Sequence, residues 1–233
     1  MGPIDRNDSA ASGDDGARYW LLAVALASVL AIVGAMAPMP WLHYLAKPSA
    51  TLLVLAMVWR MPASGSKYRS AIMIGLALST LGDVFLMLPG DWFVFGLGSF
   101  LCAHLAYLFA LTRRAPALAA LWPFLAYAAL AGAVLAVLWP HLPGELRVPV
   151  VVYVAVLAAM AAQAAAVWWR RRTRATALAA LGGLSFVVSD ASLAIDRFAV
   201  PFAAAGAMVL ASYWLAQAWI GLSARDDRTR AGT

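Results

Sequence analysis

The chain has 233 residues, of which 64% are hydrophobic and 12% charged, and its mean hydropathy is +0.81. A soluble domain is about 45–50% apolar and about 25% charged, so this composition excludes a soluble globular protein and points to a membrane protein. The net charge of +6 would suit a nucleic-acid binder, but the basic residues gather at the turns between apolar runs, which is a signal of topology and argues against nucleic acid.

In chain order, residues 1–17 (MGPIDRNDSAASGDDGA) are polar and rich in Gly, Ser and Asp, and are predicted to be a disordered tail. They lack the basic-then-apolar layout of a secretory signal. A bilayer core of roughly 30 Å needs about 20 mostly apolar residues per helix. Eight segments meet that need: 18–37, 46–60, 70–88, 92–112, 118–138, 149–169, 175–195 and 200–222. The second opens with Lys47-Pro48, and Pro48 is read as a helix start, where its missing N–H costs nothing. Residues 223–233 form a second solvated tail. Loops are short, so the expected fold is all-α, one compact bundle of eight transmembrane helices embedded among membrane lipids. The single cysteine, Cys102, lies in an apolar run and is expected to be a small packing residue.

With a cytoplasmic N-terminus, every Lys and Arg except Lys47, Arg147 and Arg197 falls on the cytoplasmic side. This predicts that both termini are cytoplasmic. High Ala and Arg content suggests a GC-rich bacterial genome, and hence the bacterial inner membrane.

Polar residues at membrane depth are rare and mark candidate functional sites. Asp83 lies in the third segment, His104 and Tyr107 in the fourth, Asp190 in the seventh, and Tyr213 and Gln217 in the eighth; Lys47 stands at the start of the second. Gly75, Ser79 and Asp83 share one helix face. His104 and Tyr107 are i, i+3 neighbours. Both aspartates sit past the middle of helices running outward, each about five residues, or roughly 7–8 Å, from the outer end. One polar pocket opening towards the outer leaflet would hold them all. A weak internal repeat pairs LSTLGDVFLMLPGDWF with LSFVVSDASLAIDRF, which would set two similar carboxylates across a pseudo-symmetry axis. Asp91, Asp196 and Arg197 read as outer-turn residues, and Gln163 as structural.

Only three histidines are present, and one lies within a predicted span, so a His-rich zinc site is not expected. No Gly-rich phosphate loop or nucleophile elbow appears. No metal or other cofactor is therefore expected. What remains is acid–base chemistry by two carboxyl groups, which in one pocket can share a proton and serve as acid and base.

The elements LAKPSATLL, LSTLGDVFLML…FGLGSFLCAHLAYLF and LSFVVSDASLAIDRF…YWLAQ resemble the YhhN-like family of eight-helix membrane proteins, whose animal members include lysoplasmalogenase. The resemblance runs from about residue 20 to 222. It departs after Lys47-Pro48, where the family tends to show a bulkier residue and another proline and this chain has Ser49-Ala50. The resemblance implies hydrolysis of the vinyl-ether bond of a lysophospholipid, lysoplasmalogen, to a fatty aldehyde and a glycerophospho-ethanolamine or -choline. It implies Asp83 and Asp190 as the catalytic pair, with Lys47, His104 and Tyr107 lining the site. The reading of the residues adds Ser79, Tyr213 and Gln217 to the substrate pocket, and lets Lys47 hold the lipid phosphate. A proton-coupled transporter or lipid-binding membrane protein is the alternative, since midplane carboxylates also suit transport. An intramembrane aspartyl protease ranks lower, because residues 80–83 read Thr-Leu-Gly-Asp and lack the Gly-x-Gly-Asp signature.

Overall fold

The computed structural model describes residues 7–37, 39–61 and 66–225. Among them are eight α-helices and no strand: α1 Asn7–Met36, α2 Pro40–Arg60, α3 Ser66–Met87, α4 Phe93–Thr112, α5 Leu121–Leu138, α6 Gly144–Arg171, α7 Arg174–Ala194 and α8 Ala205–Leu222. Each contains a stretch long and apolar enough to cross a membrane. The protein is thus an all-α, eight-span membrane protein, as the sequence predicts.

Several boundaries differ for physical reasons. Helix α1 runs back to Asn7, where a disordered tail was expected through residue 17. No proline interrupts residues 7–17, and extending an existing helix costs far less than starting one. Residues 1–6 and 226–233 of the two predicted tails lie outside the described residues.

Helix α2 begins at Pro40 instead of residue 46, and Pro48 lies inside it. Pro40 already supplies the proline start, so Lys47 sits two turns into the helix. His43, expected in a loop, is part of α2, and its Nδ1 lies 2.9 Å from the Ala31 carbonyl of α1. Helix α6 likewise starts early, at Gly144, with Pro149 inside it. Helix α7 ends in a single π turn, Ile195–Ala199, closed by Val200 N–H donating to the Ile195 carbonyl at 2.9 Å.

The most extensive helix pairs are α3 with α4 and α7 with α8. Small residues allow this closeness. A Cβ on Gly75 would lie 2.2 Å from the Tyr107 ring, and one on Gly82 would lie 2.7 Å from the Phe100 ring. Gln163 is structural, donating to the Ala115 and Pro116 carbonyls at 3.1 Å each and so fixing the turn after α4. Cys102 does not pack inside; it is exposed on the bundle surface. Helix α5 is the outlier, with only Pro123 and Leu138 of its length buried.

Lys47, Asp83, Phe93, Leu138, Val150, Asp190 and Val209 all line one cavity. The starts of even helices and the ends of odd ones therefore meet at one end of the bundle. That end carries Lys47, Arg147 and Arg197, and is called here the cation-poor end. The opposite end is tied shut: Arg114 stacks 3.7 Å from the Tyr68 ring centroid and donates to the Ser223 carbonyl at 2.5 Å.

Candidate functional site

The cavity has a volume of about 110 Å³ and a mainly apolar wall, broken by Lys47, Asp83, Tyr127, Tyr153, Ser189, Asp190 and Tyr213. Both predicted aspartates reach it. They do so with different surroundings.

Asp83, on α3, is 1% exposed. Its Oδ2 accepts from Tyr213 Oη at 2.7 Å and from Thr51 Oγ1 at 3.0 Å. Lys47 Nζ lies 3.6 Å from Oδ1. Lys47 and Thr51 are i, i+4 on α2, so one helix face brings both to the carboxylate. Behind Tyr213 runs a directed chain: Gln217 Nε2 donates to Tyr213 Oη at 3.0 Å, and Tyr107 Oη donates to Gln217 Oε1 at 2.7 Å. Ser79 Oγ closes the chain, 3.4 Å from Tyr107 Oη. Gly75, one turn before Ser79, leaves the room that the Tyr107 ring fills.

Asp190, on α7, is more open, its side chain 18% exposed. Its Oδ2 accepts from Tyr153 Oη at 2.5 Å, and His104 Nε2 lies 3.5 Å away. His104 Nε2 is also 3.0 Å from Tyr153 Oη. The phenol has one proton and gives it to Asp190, so His104 Nε2 acts as the donor to Tyr153. His104 Nδ1 is buried with no partner, which fits a neutral ring protonated on Nε2. No protein group donates to Asp190 Oδ1 among the interactions described.

Phe186, fully buried, stands between the two networks, with ring centroids 4.9 Å from His104 and 5.9 Å from both Tyr107 and Tyr213. It keeps the two networks separate. The partners also cross over. Asp83, of the α3–α4 hairpin, takes Tyr213 from α8, whereas Asp190, of the α7–α8 hairpin, is reached by His104 of α4 through Tyr153.

All eight sequence-predicted site residues fall in these networks, but not all in the cavity wall. Lys47, Asp83, Asp190 and Tyr213 line it; His104, Tyr107, Ser79 and Gln217 do not and are buried behind it. Lys47, expected at the start of its helix, lies two turns inside it. It lies at the cavity, 9% exposed, beside Asp83. Thr51 and Tyr153 were missed. Tyr153 is the single tyrosine of α6, a phenol in mid-span that could have been singled out; Thr51 could have been found by its i+4 spacing from Lys47. Among the described residues, no three His, Cys, Asp or Glu side chains come together as metal ligands.

The fold and site define a polytopic membrane protein with two differently gripped carboxyl groups at one apolar cavity. The chain belongs to the YhhN family, whose profile matches residues 42–224. It is 35% identical to bovine "Lysoplasmalogenase TMEM86A" over 67% of this chain and 66% of that protein, so it spans slightly under two thirds of that relative. It is 32% identical to human "Lysoplasmalogenase TMEM86B" over 79% and 76% of the two chains. It is 29% identical to the Escherichia coli "Uncharacterized membrane protein YhhN" over 71% and 78%. No solved structure matches this chain.

Proposed function

We propose that the protein is a membrane-embedded hydrolase that cleaves the vinyl-ether bond of lysoplasmalogen, or of a related lysolipid, by acid–base chemistry of Asp83 and Asp190. The observation that carries this reading is the meeting of both carboxyl groups at one apolar cavity with unequal hydrogen-bond complements. The lysoplasmalogenase names of the relatives supply the substrate class.

The complements divide the roles. Asp83 is met by two donors and an ammonium group and gives no proton to any of them, the pattern of an ionised carboxylate. Asp190 lines the cavity and its Oδ1 accepts from no protein group among the described residues, so a carboxylic proton can sit there. Asp190 gives that proton to the β-carbon of the vinyl ether, and an oxocarbenium ion forms. The fixed charge of Asp83 lowers the cost of that cation. Water adds to the oxocarbenium carbon and yields its proton to the now ionised Asp190, restoring the acid. The hemiacetal then breaks its C–O bond to the glycerol, its hydroxyl proton passing to the departing glycerol oxygen, and releases aldehyde and glycerophospho-alcohol. The division of labour is that of glycosidases, whose transition states are also oxocarbenium-like. The remaining predicted residues act indirectly. His104 and Tyr153 orient Asp190, while Tyr107, Ser79 and Gln217 orient Tyr213. No metal takes part in this scheme. The cation distribution supports cytoplasmic termini and a cavity opening to the outer leaflet of a bacterial inner membrane.

The test is aldehyde release from a lysoplasmenyl lipid by the purified protein in detergent, with and without EDTA, beside Asp83→Asn and Asp190→Asn. The expected result is EDTA-insensitive aldehyde from the wild type and none from either folded variant. A fully active variant at either position sinks the mechanism. A folded wild type that releases no aldehyde, yet accumulates a lipid or solute in vesicles under a proton gradient, would establish the transporter alternative.

A further inference from the structure

A lysophospholipid carries a phosphodiester, and nothing assigned so far holds it. Lys47 was the expected holder, but it is 9% exposed and committed to Asp83. Of the other two basic residues at the cation-poor end, Arg147 packs against Trp139, 5.0 Å from the ring centroid, and neither residue lines the cavity. Arg197 is placed differently. Its guanidinium lies 4.2 Å from the ring centroid of Phe93 and 5.6 Å from that of Phe198. Those two rings meet edge to face at 5.5 Å, and both form part of the cavity wall. Arg197 thus rests on the aromatic rim of the site.

Its protein partner is replaceable. Arg197 Nη2 pairs with Asp91 Oδ1 at 3.1 Å, with side chains 40% and 78% exposed, and ion pairs so open to solvent contribute little. Asp91 Oδ1 also accepts from Phe93 N–H at 3.3 Å, so Asp91 stays anchored when the guanidinium leaves. The π turn that carries Arg197 is held in turn, because Phe202 N–H donates to Asp196 Oδ1 at 3.1 Å. A guanidinium fork matches two phosphate oxygens better than an ammonium group does.

The depth also fits. Arg197 stands seven residues beyond Asp190, about 10 Å along the axis at 1.5 Å per residue. The glycerol backbone and vinyl ether set the phosphorus seven bonds from the β-carbon that takes the proton, a somewhat shorter span, and the Arg197 side chain reaching towards Asp190 covers the difference. The apolar chain then runs past Leu157, Ala158 and Tyr127, the part of the wall further from that rim along α5 and α6.

We infer that Arg197 is the anion-binding residue of this site: it exchanges Asp91 for the phosphodiester of a lysophospholipid at the cavity rim and so sets the vinyl ether at the level of Asp190. The inference rests on the hydrolase reading for its substrate, and the experiment separates the two. Aldehyde release is measured with 1-alkenyl-glycerophosphocholine and with the phosphate-free 1-alkenyl-glycerol. Arg197→Ala raises KM for the phospholipid about tenfold with kcat held within about twofold, and removes the wild-type preference for it over the phosphate-free lipid. Arg197→Lys restores part of that preference, and Arg147→Ala keeps all of it. Binding is read in parallel by tryptophan fluorescence with the uncleavable 1-alkyl-glycerophosphocholine, 1-alkyl-glycerol and inorganic phosphate. Arg197-dependent binding of the alkyl phospholipid without aldehyde from any vinyl ether would retain the anion site and end the hydrolase reading. An active Arg197→Ala enzyme with wild-type preference would overturn the anion site alone. So would an equal loss on both substrates, which marks a structural role, or binding of inorganic phosphate with no gain for the phospholipid over 1-alkyl-glycerol.

Discussion

Lys47 and Asp83 form an ion pair that is nearly out of solvent, and its removal has a calculable signature. The Nζ–Oδ1 separation is 3.6 Å, with side chains 11% and 1% exposed. At an effective dielectric constant of about 20, two unit charges at that distance attract by about 5 kcal/mol. Desolvation of both groups offsets part of this, and the pair is longer than a charge-assisted hydrogen bond. The lower end of the range for breaking a buried pair, about 3 kcal/mol, is therefore expected when Lys47→Met leaves Asp83 charged and uncompensated. Asp83→Asn costs less, about 1–2 kcal/mol, because its neutral amide still accepts from Tyr213 and Thr51 while the amine of Lys47 can turn to the cavity. Lys47→Met combined with Asp83→Asn removes both charges and should be no less stable than Lys47→Met alone. The assay is the thermal or denaturant midpoint in one detergent for the four proteins of the cycle, read by tryptophan fluorescence. A coupling energy of about 1–2 kcal/mol or more supports the pair. Strictly additive effects would refute it, and with it the assignment of Asp83 as the ionised member.

Two further outcomes follow from the geometry. Tyr213→Phe removes the shortest contact to Asp83, 2.7 Å, and a hydrogen bond to a charged group contributes about 1.5–3 kcal/mol. Aldehyde release should fall at least about tenfold while the protein elutes as a folded species, and a wild-type rate would show that the chain from Tyr107 to Asp83 is dispensable. Gly75→Ala sets a methyl group 2.2 Å from the Tyr107 ring; overpacking of this kind costs about 1–3 kcal/mol, lowering the unfolding midpoint. Adding Tyr107→Leu should return much of that loss, and no recovery would mean that the ring is not what the methyl meets.

Periodicity and composition reach the helices because a span needs a long apolar run, and all eight such runs became helices. The carboxylates were legible for the same reason: against an apolar background, a mid-span aspartate stands out. The boundary of α2 was not, because Pro48 satisfies the local rule for a helix start while Pro40 satisfies it eight residues earlier, and tertiary contact decides between them. His43, bonded to the Ala31 carbonyl, is part of that contact. Spacing also makes His104 and Tyr107 neighbours on α4, with ring centroids 6.3 Å apart, but it cannot say what each one faces. Their partners come from α6, α7 and α8, far along the chain, and Phe186 assigns them to separate networks. Tyr153 and Thr51 escaped notice because an isolated phenol or hydroxyl on an apolar helix is usually a packing residue; only the approach of α6 to α7, and of α2 to α3, gives each its carboxylate.

The two aspartate-bearing hairpins yield unlike carboxyl groups. The α3–α4 and α7–α8 hairpins each present an aspartate near the cation-poor end, and each network draws a side chain from the other hairpin: Tyr213 donates to Asp83, and His104 donates to the Tyr153 that holds Asp190. The difference comes from the helix that completes each grip. Helix α2 brings an ammonium group and a hydroxyl, Lys47 and Thr51, to Asp83; α6 brings a lone phenol, Tyr153, to Asp190. Both helices carry an internal proline near these residues, Pro48 next to Lys47 and three residues before Thr51, and Pro149 four residues before Tyr153. In the proposed scheme the ammonium group beside Asp83 keeps that carboxyl group ionised, while Asp190, with no Lys or Arg beside it among the described residues, serves as the acid. Moving that charge to Asp190 would favour its ionised form and leave Asp83 buried without a cation, exchanging the two roles. The asymmetry of α2 and α6 therefore does more than the aspartates themselves to decide which chemistry the site can perform.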